Sequence, residues 1–452
     1  MKFPKCPIRW FQKPKQPKIN KLLEKGFEAY YIGGYVRDKL LNKEPNDIDI
    51  VTNARPKEII AIFKDRKTDE VGKSFGVVLV DGIDVATYRK DIYLDADSNV
   101  LKVQYADTLL EDVQRRDLTI NAIAMDVDEK IIDTCNGVLD LNNKLIRFVG
   151  SPKEKIFRDP ARIIRACRFL ADINGKFEYK TFSALRGNRL LVNKVAKERI
   201  RKEILKAMKT QRASKFFIAC ENIKILEYIF PSLSRCKDVS QNKYHDEDIF
   251  KHNMMTGDKI STKYPLLKLT GYIHDIGKVG CKEFSDKNSD YTFLGHDIEG
   301  KKLAIKELKQ NKFSNSEIEY ISAIIRLHMN VVPKTKKGVR KLLNKLYEKN
   351  IPYKDYLRLK LADRYAKIKD GKHSDRSISD IKAKLTSFNE VIDEKEPFSL
   401  KNLEINGNDL KDIGFEQGKY IGFVLEALFK IILDDPEKNN REFLLEEAKT
   451  YL

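Results

Sequence analysis

Between about Tyr30 and Asp140 the apolar residues come in short runs broken by turn residues: AYYIGGYV, DIDIVT, FGVVLVDGIDVATYR and IIDTCNGVLDL. Alternation in DIDIV and IDVATY, with Asp-Gly between two Val-rich runs, predicts strands and a hairpin. RPKEIIAIFKD carries helical spacing, so a mixed sheet with a helix or two is expected. Residues 91–112, DIYLDADSNVLKVQYADTLLED, are polar and read as a mobile loop. Beyond about Leu145 the spacing changes to three and four, as in DPARIIRACRFLADI, VAKERIRKEILKAMKT, PLLKLTGYIHDIGK, IEYISAIIRLHM, GVRKLLNKLYEK and IGFVLEALFKIILDD. That predicts an essentially all-helical remainder. The charge-rich KIKDGKHSDRSISD, 367–380, reads as a linker, and no internal repeat is visible. The fold class expected is α+β and multidomain: a head with a mixed β-sheet and helices, then an all-helical remainder.

A chain of 452 residues exceeds one compact core, so two to four domains are expected. Lys and Arg total 86 against 67 Asp and Glu, a net charge of +19. Such a field attracts phosphates and makes a polyanion the first partner to consider, although solvated Lys-rich helix faces give the same balance. The six cysteines (Cys6, Cys135, Cys167, Cys220, Cys236, Cys281) form no CxxC pair, which fits reduced thiols. No apolar run approaches membrane-spanning length, and the basic N-terminus MKFPKCPIRWFQKPKQPK lacks the apolar core of a signal peptide. A soluble cytoplasmic protein with no membrane partner is expected.

Candidate chemistry begins at IGGYVRDKLLNKEPNDIDIV, residues 32–51. In a strand, side chains alternate, so Asp47 and Asp49 are expected on one face with Ile48 buried opposite. Converging carboxylates are costly without a cation between them, and carboxylate and phosphate oxygens are what Mg²⁺ prefers. Gly33 and Gly34 allow close approach of a phosphate to the backbone, and Arg37 adds a charged donor. The stretch looks built for a metal-bound triphosphate. Taken singly, Asp-x-Asp and Gly-Gly are common in surface strands and turns.

Together the run GGYVRDKLL…NDIDIVT, then IDVATYR and EDVQRRDLTINAIAMD, resembles the nucleotidyltransferase head of the bacterial and eukaryotic class (class II) of CCA-adding tRNA nucleotidyltransferases and of bacterial poly(A) polymerases. The resemblance implies that Asp47 and Asp49 are the catalytic pair and bind Mg²⁺. It also implies that Gly33, Gly34 and Arg37 contact the nucleotide, and that Arg116 and Asp117 read the ribose. Where many relatives have Glu this chain has Asp84, a candidate third carboxylate. The implied chemistry is in-line attack of an RNA 3′-hydroxyl on the α-phosphorus of a nucleoside triphosphate, with pyrophosphate leaving and no protein nucleophile.

In FRDPARIIRACRF, Pro160 is placed as the first residue of a helix that carries Arg162, Arg165 and Arg168, with Ile163, Ile164, Cys167 and Leu170 on the buried side. Cytosine and adenine each present an amino donor beside a ring-nitrogen acceptor, whereas uracil and guanine present a carbonyl beside an N–H. One Asp beside one Arg would therefore accept C and A. Leaving buried polar groups unpaired can discriminate by roughly 10⁴. The segment resembles the same family's protein-template motif, which implies that Asp159 and Arg162 pair with the base and that Arg165 and Arg168 support the helix and contact nucleotide. Family members commonly have Glu where this chain has Arg158. KERIRKEILKAM resembles the next neck motif, with Glu198 and Arg199 as its pair, for which a helix-stabilising role is expected.

The segments HNMMTG, YIHDIGK, LGHDIEG, IIRLHMN and LADRYA together look like an HD-type metal site, found in many phosphohydrolases. By that resemblance His252, His274, Asp275 and Asp363 ligate a divalent metal, and His296 and His328 hold a second metal or phosphate. Mixed nitrogen and carboxylate donors suit Mn, Ni, Fe or Zn. The tail LEINGNDLKDIGFEQGKYIGFVLEALFKIIL resembles the C-terminal region that helps hold tRNA, with Gly407, Gly414, Gly418 and Gly422 fitting helix ends or close approaches.

The organisation expected is a nucleotidyltransferase head at 1–145, a helical neck and body with nucleotide- and RNA-binding motifs at 146–240, an HD phosphohydrolase-like domain at 241–372 and a tRNA-binding helical tail at 373–452. The function implied is template-independent addition of C, C and A to tRNA, with the acceptor stem and 3′ end, CTP and ATP as partners. A phosphohydrolase activity in the HD domain would be second. A poly(A) polymerase shares the head motifs. A CC-adding enzyme is the other enzymatic alternative, since 91–112 lacks the Arg-Arg-Pro of many relatives. The intact Asp47, Asp49, Arg116, Asp159 and Arg162 argue against a mere RNA-binding module.

Overall fold

The computed structural model describes residues 17–45, 47–72, 76–93, 101–243, 246–367 and 374–452. Backbone packing divides the chain into two compact units, Met1–Ala207 with Lys215–Tyr228, and Met208–Ser214 with Ile229–Leu452.

The first unit carries strands β1 Ala29–Ile32, β2 Asp49–Thr52, β3 Thr68–Gly72, β4 Val77–Val80, β5 Ile83–Thr87, β6 Arg89–Tyr93, β7 Leu101–Tyr105, β8 Ala124–Met125 and β9 Ile131–Ile132. Seven form one sheet in the order β3-β4-β5-β2-β1-β8-β9. The sheet is mixed, as expected: β2 and β5 are parallel and the other pairs antiparallel. The Asp-Gly hairpin is present, with Asp81 and Gly82 at φ 46 and 79 between paired Val80 and Ile83. Two successive positive φ values are what a two-residue turn between twisted strands requires. Ile32, Val51, Tyr88, Ala122 and Ala124 are among the core residues that fix the central strands.

Helices of this unit include α1 Pro17–Glu24, α2 Gly34–Leu40, α3 Pro56–Ile62, α4 Leu109–Arg115, α5 Gly137–Asn142, α6 Pro152–Arg158, α7 Ala161–Asp172, α8 Tyr179–Gly187 and α9 Lys197–Ala207. Two expectations are corrected. The loop expected at 91–112 is largely ordered: β6 pairs with β7, and α4 follows, capped by the Thr108 hydroxyl accepting from the Glu111 N–H. Leu-Lys-Val-Gln-Tyr does alternate, but its polar neighbours hid the period; residues 94–100 lie outside the described residues. Nor is everything after Leu145 helical. Leu145–Ile146 pairs in parallel with Lys176–Phe177, and in the second unit Glu283–Ser285 pairs with Asp290–Thr292. Strands of two or three residues are too short to show a period.

The second unit is built on the helices Ile249–Lys259, Pro265–Ile273, His296–Gln310, Asn315–Leu327, Lys336–Glu348 and Tyr353–Ala366. Ile324, Val339, Leu342, Tyr356, Leu359 and Phe388 belong to one core cluster. The linker expected at 367–380 is instead helical from Ser374, the start of a helix that runs to Asp393; residues 368–373 lie outside the described residues. A separate cluster including Leu410, Val424, Leu428 and Leu444 holds the terminal helices Gly407–Asp412, Lys419–Asp434 and Arg441–Lys449. Gly422 lies inside the second of these, not at a helix end. Among the described residues no helix is long and apolar enough to cross a membrane.

Candidate active site and metal centre

Asp49 opens β2 and is the register partner of Asp84 on the parallel strand β5. Asp47 lies before the strand and is exposed, and Ile48 is only half-buried. The expected placement of both aspartates on one strand face, with Ile48 buried opposite, is therefore corrected, because the chain is not yet a strand at Asp47. The carboxylates nonetheless act on one another. Burial raises the Asp49 pKa, with Asp84 and Asp47 raising it further and Arg116 and Arg37 opposing. Burial and then Asp47 raise that of Asp84. Three mutually repelling carboxylates suit a divalent cation. Gly33 ends the β1 side of the site at φ 72, a conformation that strains any residue with a side chain, and a Cβ there would stand 3.5 Å from both Asp49 Oδ2 and Arg116 Nη1. Gly34 begins α2 beside it.

Asp112, fully buried, holds two adjacent arginines: Arg115 donates to Oδ1 at 2.9 Å, and Arg116 to Oδ2 at 3.1 and 3.0 Å. Arg37 donates to Asp38 Oδ1 and, at 2.7 Å, to Asn121 Oδ1, and lies 5.1 Å from the Phe169 ring centroid. Arg165 and Arg168 face the same ring at 5.5 and 3.7 Å, a cation–π cluster joining α2 to α7. Asn121 Nδ2 is buried without a hydrogen-bond partner. Sequence reasoning missed Asp112 and Asn121; both lie in EDVQRRDLTINA, but nothing in their residue types separates them from helix-surface neighbours.

Asp117 is bound to Arg165, which donates from Nε at 2.8 Å, and accepts from the Leu118 N–H at 2.9 Å. Burial pushes its carboxyl up, but the charge and hydrogen bond of Arg165, with Arg162 and the Leu118 N–H, together outweigh this and hold it at about 2. Helix α7 begins at Ala161, with Pro160 just before it, one residue later than expected, and Asp159 Oδ1 accepts the Ala161 N–H at 3.2 Å. Ile163, Ile164, Cys167 and Leu170 are buried, as expected. Arg168 is buried too, bound to Glu203 and Asp172 at 2.5 Å each. A desolvated charge stays with its counterions, so these contacts are of the helix-supporting kind. The Arg162 N–H donates to the Asp159 carbonyl at 3.0 Å, but their side chains have other partners. Arg199, on α9, donates to both Asp159 oxygens at 2.9 Å, while Arg162 donates to the carbonyls of Lys155 and Arg115 at 3.2 and 3.4 Å. Arg158 stands 3.8 Å from Glu154. Arg199 thus has a specific partner that the helix-stabilising expectation did not foresee.

All six residues of the HD pattern meet in the second unit. His274 caps the C-terminus of Pro265–Ile273 rather than sharing a helix with Asp275, His296 starts the next helix, and His328 caps Asn315–Leu327. Gly277 permits this: a Cβ there would lie 2.1 Å from the His296 carbonyl oxygen. Nε2 of His252, His274, His296 and His328 lie 3.6, 3.3, 3.4 and 3.3 Å from Asp275 carboxylate oxygens. Asp363 Oδ1 is 3.1 Å from His252 Nε2. Nδ1 of His274, His296 and His328 donates to the carbonyls of Gly271, Phe293 and Ile325, which sets those rings with Nε2 inward, as outer partners do for metal-binding imidazoles.

His252–His274–Asp275 and Asp275–His296–His328 form two donor groups sharing one carboxylate. His274 Nε2 is buried without a well-aligned hydrogen bond. Burial alone would raise the Asp275 pKa, but His274 and Lys278 hold it well below the usual carboxylate range. Lys278 Nζ, 2.5 Å from Asp275, and Lys367, 3.2 Å from Asp363, were not foreseen. Lys278 could have been found from its position in HDIGK. The donor set fits a divalent transition metal.

The poly A polymerase head domain family matches residues 29–147, the family described as "Probable RNA and SrmB- binding site of polymerase A" matches 176–237, and tRNA nucleotidyltransferase domain 2 matches 282–448. The CCA-adding enzyme of Ligilactobacillus salivarius is 30% identical over 443 residues, 96% of each chain. The chain belongs to the CCA-adding enzyme family. It is a nucleotidyltransferase. A Bacillus stearothermophilus CCA-adding enzyme solved with CTP has a TM-score of 0.70 at 22% identity, over 98% of this chain and 99% of that one. A Thermotoga maritima CCA-adding enzyme solved with tRNA has a TM-score of 0.55 at 19% identity, over 97% of each. Both share the fold that carries the family's multidomain arrangement here.

Proposed function

We propose that the first unit adds C, C and A to the 3′ end of tRNA from CTP and ATP, with protein side chains in place of a template. The observation that carries this is the meeting of Asp49 with Asp84 and Asp47 at the strand ends beside Gly33 and Arg116. Asp47 and Asp49 would hold Mg²⁺, with Asp84 as a third oxygen donor. When bound, the ion offsets phosphate charge and eases deprotonation of the attacking hydroxyl. Gly33 and Gly34 leave room for the triphosphate, Arg37 and Arg116 face it, and Asp117 braces α7 through Arg165. Asp159 would accept from the amino group of C or A while Arg162 donates to the ring nitrogen. U and G would oppose acceptor to acceptor and donor to donor. The solved relatives with CTP and with tRNA support these substrates.

The test uses tRNA transcripts ending before CCA, after C and after CC, each with one labelled triphosphate. Limited addition of C, C and then A is expected. An unbounded A ladder would mark a poly(A) polymerase, and arrest after CC a CC-adding enzyme.

A second reading rests on the four imidazoles gathered around Asp275. The region 241–372 would act as a metal-dependent phosphohydrolase on phosphomonoester or cyclic phosphate ends. His252, His274, Asp275 and Asp363 would hold one divalent ion such as Mn, Ni or Fe, and His296 and His328 a second ion or the phosphate. When bound, such an ion supplies an acidified water. The tail at 373–452 would hold tRNA.

A further inference from the structure

Asn121 stands between the two arginines that flank the carboxylate cluster around Asp49. Its Oδ1 accepts from Arg37 Nη1 at 2.7 Å, and its backbone carbonyl accepts from Arg116 Nη1 at 3.5 Å. The point where a Gly33 Cβ would sit lies 3.5 Å from Asp49 Oδ2 and 3.9 Å from that same carbonyl oxygen, so Asn121 shares a wall with the carboxylates proposed to hold metal. The wall is held by its own backbone. Residues 119–121 form one 3-10 turn, in which the Asn121 N–H donates to the Leu118 carbonyl and the Ala122 N–H to the Thr119 carbonyl, each at 3.0 Å. Arginine only donates, so the amide oxygen of Asn121 is the end turned to Arg37 and the amino group is the end left over. That Nδ2, on a residue 7% exposed, has no hydrogen-bond partner among the described residues. A buried donor without an acceptor costs stability, and here an acceptor arrives with the substrate.

Two guanidinium groups and a cluster of carboxylates suited to a cation make this the setting of phosphate oxygens, not of a base. The residues proposed to read the base, Asp159 and Arg162, have their side-chain partners on α9, α6 and α4 instead. We propose that Asn121 Nδ2 donates a hydrogen bond to a phosphate oxygen of the incoming nucleoside triphosphate, while Oδ1 of the same amide holds Arg37 in place beside it. The inference rests on the transferase reading above. An ionised acceptor makes such a bond strong, and the neutral amide adds direction to the charge that Arg37 and Arg116 supply.

The probes are CTP and ATP, bound with Mg²⁺ and without tRNA to the full-length wild type and to Asn121→Ala and Asn121→Asp. Asn121→Ala is expected to weaken CTP and ATP by the same factor, roughly tenfold or more. Asn121→Asp is isosteric and still accepts from Arg37, but it turns an anionic oxygen to where the donor was, so it should weaken both at least as much. The ratio of CTP to dCTP affinity, and the affinity for tRNA without triphosphate, should stay at wild-type values. In an Arg37→Gln background Asn121→Ala should still weaken CTP severalfold. No further loss there would mean that Asn121 acts only by holding Arg37, and would overturn the proposal. So would wild-type CTP affinity in Asn121→Ala, or a loss seen with CTP and absent with dCTP, which would move the contact to the ribose 2′-hydroxyl. Circular dichroism and Tm confirm folding, with the isosteric Asn121→Asp as the variant that best keeps the local packing. If wild type bound CTP yet transferred neither C nor A, the transferase reading would fall, and the binding comparison would still decide the role of Asn121.

Discussion

Arg199 closes on Asp159 with both terminal nitrogens, each 2.9 Å from a carboxylate oxygen. A carboxylate held by a fork keeps one orientation, and its remaining lone pairs are set toward an incoming amino group. Arg199→Ala should therefore raise U and G incorporation relative to C and A, with little change in the KM for CTP, and Arg199→Lys should restore discrimination in part. Asp159→Ala and Arg162→Ala should relax choice further. Wild-type discrimination by Arg199→Ala, measured with each triphosphate in competition, would reduce the pair to a surface ion pair of little consequence.

Asp49→Asn should abolish transfer of both C and A while raising the Tm of the metal-free protein at neutral pH. The sign follows from the raised pKa of Asp49. Its carboxylate disfavours folding above that pKa, and the cost disappears as the proton goes on at lower pH. The Tm difference between variant and wild type should shrink on acidification. Retained CMP addition at near wild-type rate would remove Asp49 from the metal site.

Asp117→Asn should destabilise the protein at neutral pH by on the order of 2 kcal/mol, from a pKa lowered from 3.8 to about 2. Because the folded-state value is depressed, this stability is present above the unfolded pKa near 4 and lost as pH falls toward 2. Urea denaturation across pH 2–6 should show the two proteins converging at the acid end. Parallel curves across that range would mean Arg165 contributes nothing through Asp117.

His274→Ala with Asp275→Ala should eliminate phosphate release from 2′-AMP or 2′,3′-cyclic AMP in Mn²⁺ or Ni²⁺, yet leave CCA addition in Mg²⁺ nearly intact. The carboxylates around Asp49 and the donors around Asp275 share no residue, so their activities should separate. No hydrolysis by wild type with any of these metals would return the histidines to a structural role.

What could be read from the chain alone were the periods and the spacings: the Asp81-Gly82 hairpin, the run of helices, and the residues that later meet at Asp49 and at Asp275. Three kinds of feature stayed hidden. Pairings between distant segments, such as Arg199 with Asp159, leave no mark on local pattern. Short strands such as Glu283–Ser285 have too few residues to alternate. Charged residues that turn inward, Arg168 above all, share composition with exposed helix faces, and only the positions of Glu203 and Asp172 reveal that they are buried. The bend before Asp49 likewise depends on tertiary packing, which is why strand alternation misplaced Ile48.

The ring of Phe169 belongs by sequence to the helix after the head, but three guanidinium groups converge on it, and one of them, Arg37, comes from the head itself. Modularity therefore ends later than the sheet does. A chain cut near residue 147 would leave Arg37 facing water and Asn121 without its packed surroundings, and a chimaera joining this head to another neck would inherit a mismatched seam. A transplantable piece must carry α7 with the sheet, since Arg37 and Phe169 travel as a pair, and α9 with α7, since Arg168 is bound to Glu203.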